Sequence, residues 1–160
     1  MTALVLTETT PVDAPPELVW ATLSDVVAWV DWLPTVSAVR PLDAAPLALG
    51  SRYLIEQPKL RPAKWVVTVL DPPRRFVWQV RSFGLRVVAE HIVRPGSKDG
   101  SELELTMAFG GLLGGLVGRA YRGITREYLA LEAQSLRRRV EGARSREREA
   151  PRVGDIARLR

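Results

Sequence analysis

One histidine and three tyrosines stand out in this 160-residue chain as groups suited to proton transfer or ligand hydrogen bonding. His91 is the only histidine, and it shares strand parity with the apolar residues Val87, Ala89 and Val93. Side chains two residues apart in a strand lie on the same face, so His91 is predicted to point into an apolar interior. A buried imidazole there is a candidate general acid or base. A structural histidine held by hydrogen bonds fits the same pattern.

The tyrosines Tyr53, Tyr121 and Tyr128 have two interpretations as well. Their hydroxyl groups could donate hydrogen bonds to a ligand carbonyl, or they could lie at a cavity rim with their rings in the core. Gln57 has the same two interpretations. The chain contains no cysteine, which excludes disulfides, a thiolate metal site and a cysteine nucleophile. A single histidine argues against a structural zinc site, and no Ser/His/Asp triad is recognisable, so we expect no metal and no cofactor.

Charge and composition limit the partners that we expect. The net charge is +5, but residues 143–160 carry six arginines against three acidic residues, so most of the excess belongs to that segment. Blocks of this composition are usually solvated, and we predict a mobile tail at 143–160 and no nucleic-acid partner. The first residues lack the basic and apolar regions of a secretion signal, so we expect a cytoplasmic protein. The apolar run from residue 107 to 118 is shorter than the roughly 20 residues that cross a bilayer.

These groups must be positioned by a sheet and one long helix. Period-two alternation predicts about six consecutive strands between residues 36 and 109, after a first strand at residues 4–12. The strand from Ser101 to Phe109 has the clearest alternation. Helical periodicity from 113 to 140 predicts one long amphipathic helix whose inward face centres on Ile124. An antiparallel sheet that curls around this helix is an α+β arrangement.

Two short helices are predicted between the first two strands. The segment Asp13-Ala14-Pro15-Pro16-Glu17 has the prolines and the acidic residue that suit a helix start. A second short helix is predicted to end before Pro34. These helices carry Trp20, Trp29 and Trp32, which either close the corner between the helices and the sheet or contact a ligand directly.

Glycines crowd the start of the long helix, at positions 110, 111, 114, 115 and 118. Neither the spacing of a phosphate-binding loop nor its lysine is present. We interpret these glycines as residues that let the chain turn out of the last strand and let the helix approach the sheet closely.

The order of these elements resembles a known family. The segment from Val12 to Trp20, the following Leu23-Ser24-Asp25 and Trp29-Val30-Asp31-Trp32, and the helix containing Tyr128-Leu129 and Glu132-Ala133 are similar to the helix-grip (SRPBCC) superfamily. That superfamily includes START-type lipid carriers, pollen-allergen-like proteins and polyketide cyclase/dehydrase-like proteins. The resemblance implies one helix-grip domain over residues 1–142 and an apolar cavity between the sheet and the C-terminal helix. It supplies no universal catalytic motif.

The expected cavity lining follows from strand parity and from the helix face. The site residues that we predict are Tyr53, Trp65, Trp78, His91, Met107, Phe109, Val117, Tyr121, Ile124 and Tyr128. Two main functions stay open: a binding or carrier protein for a small hydrophobic molecule such as a lipid, isoprenoid or aromatic polyketide, and a polyketide cyclase or aromatase that uses His91 with a tyrosine as acid and base. A protein-interaction module that uses the arginines is a third alternative. The oligomeric state is not predicted.

Overall fold

The computed structural model describes residues 4–43 and 46–149. Its elements, in chain order, are β1 (Leu4–Val12), α1 (Pro16–Ser24), a 3₁₀ helix (Val26–Asp31), β2 (Ala38–Pro41), β3 (Arg52–Glu56), β4 (Ala63–Asp71), β5 (Arg75–Ser82), β6 (Leu85–Pro95), β7 (Ser101–Gly110) and α2 (Gly114–Glu149). The seven strands form one antiparallel sheet in the order β1-β7-β6-β5-β4-β3-β2. The prediction of a helix-grip fold, with two short helices after β1 and one long C-terminal helix, is confirmed.

Short connections explain the strand order. From β2 to β7 each strand pairs with the next one in the chain, and β1 pairs with β7 along its whole length. The register of the central strands puts His91 of β6 opposite Phe76 of β5 on one side and opposite Leu105 of β7 on the other. Because opposed residues in a sheet share a face, this register gathers His91 and bulky apolar side chains on the inner face.

The start of α1 follows the sequence pattern. Pro15 is the N-cap, Pro16 is the first helical residue, and Glu17 lies in the first turn. Proline at this position loses no hydrogen bond, and an acidic side chain interacts favourably with the helix dipole. Val19 and Leu23 of α1 are fully buried against the core.

The core lies between the inner face of the sheet, the two short helices and the second half of α2. Its largest fully buried side chains are Phe76, Leu23, Leu33, Leu103, Leu105, Leu136, Val19, Val26, Val67, Val93 and Val140. Burial of a side chain of this size contributes about 1.5–3 kcal/mol relative to leaving it in water. The fold is therefore held mainly by contacts around this core.

The helix α2 begins close to the sheet because it begins with glycine. A Cβ atom at Gly114 would lie 2.9 Å from the carbonyl carbon of Phe109, and one at Gly118 would lie 2.9 Å from Cδ2 of Leu4. Those distances are too short for a real side chain, so at these two positions the interpretation of the glycines as close-approach residues is confirmed.

The same helix ends later than the predicted domain boundary at residue 142. It continues to Glu149, so the first seven residues of the predicted tail are helical. Arg144, inside that segment, donates hydrogen bonds to the backbone oxygen of Asp13 at 2.7 Å and to its Oδ1 at 2.5 Å. The remainder of the predicted tail, 150–160, lies outside the described residues.

Among the described residues, no helix is both long enough and apolar enough to cross a membrane.

Candidate functional site

A small cavity lies under α2, against the inner face of the sheet. Its volume is about 40 Å³. It is lined by Trp29, Leu33, Val36, Ile55, Gln57, Trp65, Trp78, Ala89, Glu90, His91, Leu105, Thr106, Met107, Leu129 and Glu132. A space of this size has room for about one or two water molecules, so bulky side chains fill most of the space between sheet and helix.

Aromatic rings form one wall of the cavity. Trp78 is at the centre, with its ring centroid 5.2 Å from that of Trp65, 5.4 Å from that of Trp29 and 5.4 Å from that of Phe76. Trp29 comes from the 3₁₀ helix, and its Nε1–H donates to the backbone oxygen of Leu23 at 3.0 Å, which fixes the ring. Since offset and edge-to-face contacts between rings are favourable, these contacts stabilise the wall.

The polar centre of the cavity is a contact between His91 and Glu132. His91 Nε2 lies 3.1 Å from Glu132 Oε1, and both side chains are mostly buried, with 5% and 15% of their surface exposed. The imidazole also stacks on Phe76, with ring centroids 4.1 Å apart and planes 10° apart. Two neighbours therefore fix the orientation of the imidazole: a flat ring on its face and a carboxylate at one nitrogen.

Two buried polar atoms at the cavity have no hydrogen-bond partner among the described residues. They are the indole nitrogen Nε1 of Trp78 and Nδ1 of His91. A buried polar atom without a partner costs about 1–3 kcal/mol, and most proteins avoid it. Such atoms are explained when a polar group of a ligand or a water molecule pairs with them.

The pair of atoms has complementary hydrogen-bonding roles. In the neutral imidazole whose Nε2–H donates to Glu132, Nδ1 is left with a lone pair. The Trp78 indole N–H can only donate. In that tautomer the residues that line the cavity offer one donor and one acceptor in apolar surroundings. A carbonyl or hydroxyl group on an otherwise apolar molecule matches this arrangement.

The structure places four of the predicted site residues at the cavity. These are Trp65, Trp78, His91 and Met107. Tyr53 is buried next to Trp78, with ring centroids 6.3 Å apart, but does not line the space itself. Phe109 is buried under the start of α2, beside Gly118.

The four predicted site residues of α2 are displaced from the cavity, which is a correction. Val117 and Ile124 are half-buried, Tyr121 is 43% exposed, and Tyr128 donates its hydroxyl hydrogen to the backbone oxygen of Pro58. The residues that α2 buries instead are Gly114, Gly118, Thr125, Leu129, Ala133, Ser135, Leu136 and Val140. The inward face is rotated by about one residue, or 100°, because small residues and not the largest apolar ones face the sheet at the start of the helix.

Two tyrosines have a pKa above its ordinary value because of burial. Burial raises the pKa of the Tyr53 hydroxyl, and a hydrogen bond with Ser51 lowers it in part. Burial also raises the pKa of the Tyr128 hydroxyl. Both groups are therefore protonated donors at neutral pH. Neither tyrosine is among the residues that line the cavity with His91.

Glu132 is the main site residue that the pattern did not assign. It lies three residues after Leu129 and four residues before Leu136, at helical spacing from both. The sequence signal for this site residue is therefore a carboxylate on the face of the helix that carries these leucines. Its partner is 41 residues away in sequence, and only the register of β6 under α2 brings the two together. Trp29, for which the sequence leaves packing and ligand contact open, lines the cavity.

A larger depression of about 290 Å³ lies on the outer surface, lined by Trp32, Ser135, Arg138, Arg139, Gly142 and Arg146. It is open to solvent, and Arg138 donates to the Ser135 hydroxyl there at 3.1 Å. The residues that carry the unpartnered polar atoms, Trp78 and His91, line the smaller cavity under α2. We therefore place the candidate site at that smaller cavity.

Comparison with known proteins identifies a family and a fold. The family model for polyketide cyclase/dehydrase and lipid transport proteins matches residues 3–141. No curated protein matches the chain in sequence.

Several solved structures are similar in fold. The Zhui aromatase/cyclase from Streptomyces sp. R1128 is 18% identical, over 88% of this chain and 94% of that chain, with a TM-score of 0.71. Norcoclaurine synthase from Thalictrum flavum, solved with dopamine and hydroxybenzaldehyde, is 16% identical, over 88% of each chain, with a TM-score of 0.72. A protein from Thermobifida fusca is 20% identical, over 85% of this chain and 92% of that chain, with a TM-score of 0.71. At these identities the likeness establishes the fold.

Proposed function

Because the chain belongs to the polyketide cyclase/dehydrase and lipid transport family, we propose that it binds a small, mostly apolar molecule carrying a carbonyl or hydroxyl group in the cavity under α2. The observation that carries this proposal is the pair of unpartnered buried atoms, Trp78 Nε1 and His91 Nδ1. The ligand oxygen accepts from the indole N–H, and a ligand hydroxyl donates to the imidazole nitrogen. The aromatic wall contacts the apolar body of the ligand.

The size of the cavity adds a requirement. Binding sites for drug-sized molecules measure roughly 300–1,000 Å³, whereas this cavity measures about 40 Å³. A ligand of that class therefore enters only if lining side chains move apart. Met107 is the most adaptable of them, since an unbranched thioether side chain changes rotamer easily. The aromatic rings, which pack on one another, are expected to move least.

A binding experiment tests this proposal. The neutral fluorescent naphthyl ketone prodan is a suitable probe, because it is flat and apolar and carries one carbonyl group. We expect saturable binding with a blue shift of its emission. Trp78→Phe keeps most of the ring and removes the donor, so affinity should fall about threefold to tenfold, the value of one hydrogen bond.

Trp20→Phe is the matched control, since Trp20 loses an indole N–H in the same way but does not line the cavity. Its affinity for prodan should equal that of the wild type. Non-saturable binding by the wild type, or an equal loss in both variants, would overturn the proposed site.

The His91–Glu132 contact favours a second candidate function, an acid–base enzyme of the cyclase type. A carboxylate that orients the imidazole through Nε2 leaves Nδ1 free to remove a proton from a carbon next to a carbonyl group. The resulting enolate oxygen is stabilised by the Trp78 N–H, and the imidazolium returns the proton. This is the proton transfer that aldol condensation and dehydration need. The predicted tyrosine partner is replaced here by Glu132 and Trp78.

Deuterium exchange separates the two functions. The aryl β-diketone benzoylacetone, incubated in D₂O, exchanges the hydrogens of its central methylene, and the initial rate is followed by proton NMR. If the His91–Glu132 pair is catalytic, the protein raises this rate and His91→Gln abolishes the increase. Glu132→Gln should lower the increase about tenfold, because a carboxylate no longer holds the imidazole in the tautomer with its proton on Nε2. If prodan binds but the exchange of benzoylacetone is not accelerated, the binding function is supported and the enzymatic function is contradicted.

A further inference from the structure

One end of the molecule exposes large apolar side chains that the cavity does not use. Phe83 is 95% exposed, Leu112 is 74% exposed and Leu116 is 72% exposed, and Leu113 beside them is 40% exposed. We name these four residues the apolar end patch. Single exposed apolar residues are common on proteins, but a contiguous group of them usually marks an interaction surface.

The fold holds the apolar end patch together through two turns. The turn between β5 and β6 contains Phe83 and Gly84, and Leu113 N–H donates to the Gly84 oxygen at 2.8 Å. A Cβ atom at Gly111 would lie 2.7 Å from that same oxygen, so the two turns are in direct contact. Leu116 follows on α2, one helical turn after Leu112 and Leu113. The two turns that carry the apolar side chains are therefore held against each other by direct backbone contacts.

The charged residues that flank the apolar end patch along the chain are all positive. Arg81 and Arg86 flank the turn on paired strands and lie directly opposite one another. Arg119 and Arg122 follow the patch on α2, and all four arginines are exposed. No carboxylate lies within ion-pair distance of any of them among the described residues, and residues 72–89 and 105–126 contain no acidic residue.

Arginines elsewhere on the same sheet behave differently. Arg75 pairs with Glu90 at 2.5 Å, and Arg94 pairs with Glu104 at 3.0 Å. Like charges directly opposite one another in a sheet are destabilising, so the Arg81–Arg86 arrangement lowers stability slightly. An anionic partner would remove that repulsion.

We propose that the apolar end patch docks on the surface of a lipid bilayer that contains anionic headgroups. Phe83, Leu112 and Leu116 enter the boundary between headgroups and acyl chains, and the surrounding arginines contact phosphate groups. A second copy of this chain is a poorer occupant, because a two-fold interface would bring the same positive rim against itself. This inference concerns a surface away from the cavity and stands independently of the proposed ligand.

Vesicle sedimentation tests the docking. The full chain is mixed with phosphatidylcholine vesicles, and separately with vesicles in which a third of the lipid is phosphatidylglycerol. We expect binding to the anionic vesicles, weaker binding to the neutral ones, and a marked loss at high salt, as screening predicts. The combined variant Phe83→Ser, Leu112→Ser, Leu116→Ser should lower partitioning at least tenfold. Arg81→Gln with Arg119→Gln should remove most of the preference for phosphatidylglycerol.

The matched control is Leu49→Ser, which changes a leucine that is 69% exposed but lies in the loop between β2 and β3. It should bind anionic vesicles as the wild type does, and thermal unfolding should show all variants folded. Failure of the wild type to sediment with anionic vesicles overturns the proposal, as does an equal loss in Leu49→Ser. Self-association in sedimentation velocity that the triple serine variant abolishes, without vesicle binding, would identify the patch as a contact between copies and would also overturn it.

Discussion

The two halves of α2 contact the rest of the protein in opposite ways. In the first half, 114–131, the buried residues are Gly114, Gly118, Thr125 and Leu129, while Leu116 is 72% exposed. In the second half the buried residues include Leu136 and Val140, both fully enclosed. The first half therefore begins close to the sheet through the small residues Gly114 and Gly118 and leaves Leu116 outside. The second half packs its large apolar side chains into the core.

Each half contains one departure from the rule that apolar groups are buried and charged groups are exposed. The first half exposes leucine, and the second half places Glu132 against His91 in the interior. Natural proteins depart from such rules mostly where function requires it. The comparison thus assigns stability mainly to the second half and locates one candidate function on each half: surface docking on the first and ligand chemistry on the second.

The largest effect that tests this comparison comes from one substitution placed in each half. Leu136→Ala removes a fully buried side chain and leaves a cavity, so the free energy of unfolding should fall by about 2–5 kcal/mol. Leu116→Ala removes an exposed side chain, and the change should stay within about 0.5 kcal/mol. Urea denaturation followed by tryptophan fluorescence measures both. Similar losses in the two variants would show that Leu116 is buried and would remove the distinction between the halves.

A smaller effect tests how the first half lies against the sheet. In Gly118→Ala the new Cβ would lie 2.9 Å from Leu4 Cδ2 and 3.0 Å from Phe109 Cβ, so β1 and β7 both have to shift. Overpacking of this kind costs about 1–3 kcal/mol, and alanine returns about 1 kcal/mol of helix preference. We expect a net loss of about 1 kcal/mol in the free energy of unfolding by urea denaturation.

Gly123→Ala is the matched control for this substitution, because no atom lies within 4 Å of the position that its Cβ would occupy. Only the helix preference changes there, so stability should rise by about 0.5–1 kcal/mol. If both variants are stabilised alike, close approach is not the reason for glycine at position 118.

The parts of the fold that could be predicted are those that depend on local pattern. The alternation of β7 and the proline-led start of α1 both correspond to the observed elements, since each is set by residues adjacent in sequence. The inward face of α2 lies one residue away from the predicted one, because the periodicity of large apolar residues predicts a face through Ile124 whereas small residues make the contact with the sheet at the start of the helix. A pattern of hydrophobicity does not report close backbone approach.

The candidate site was only partly predictable for a different reason. Strand parity was sufficient to point His91 inward. Its contact with Glu132 depends on where α2 crosses β6, which is a tertiary property. The volume of the cavity depends on the rotamers of several tryptophans that pack on one another, and no local pattern determines it.

The smallest expected effect concerns the C-terminal end of α2 and tests the proposed domain boundary. A chain that ends at residue 149 should unfold with the free energy of the full chain. A chain that ends at 142 loses Arg144 and its hydrogen bonds to Asp13, so it should lose about 1 kcal/mol or less, the usual value of a partly exposed charged contact. Arg144→Gln in the full chain should reproduce that loss, whereas Arg148→Gln, at an exposed position without an ion pair among the described residues, should not. If the chain ending at 149 were instead as unstable as the one ending at 142, residues 150–160 would contribute to the stability of the folded domain, and the stabilising part of the chain would extend past α2.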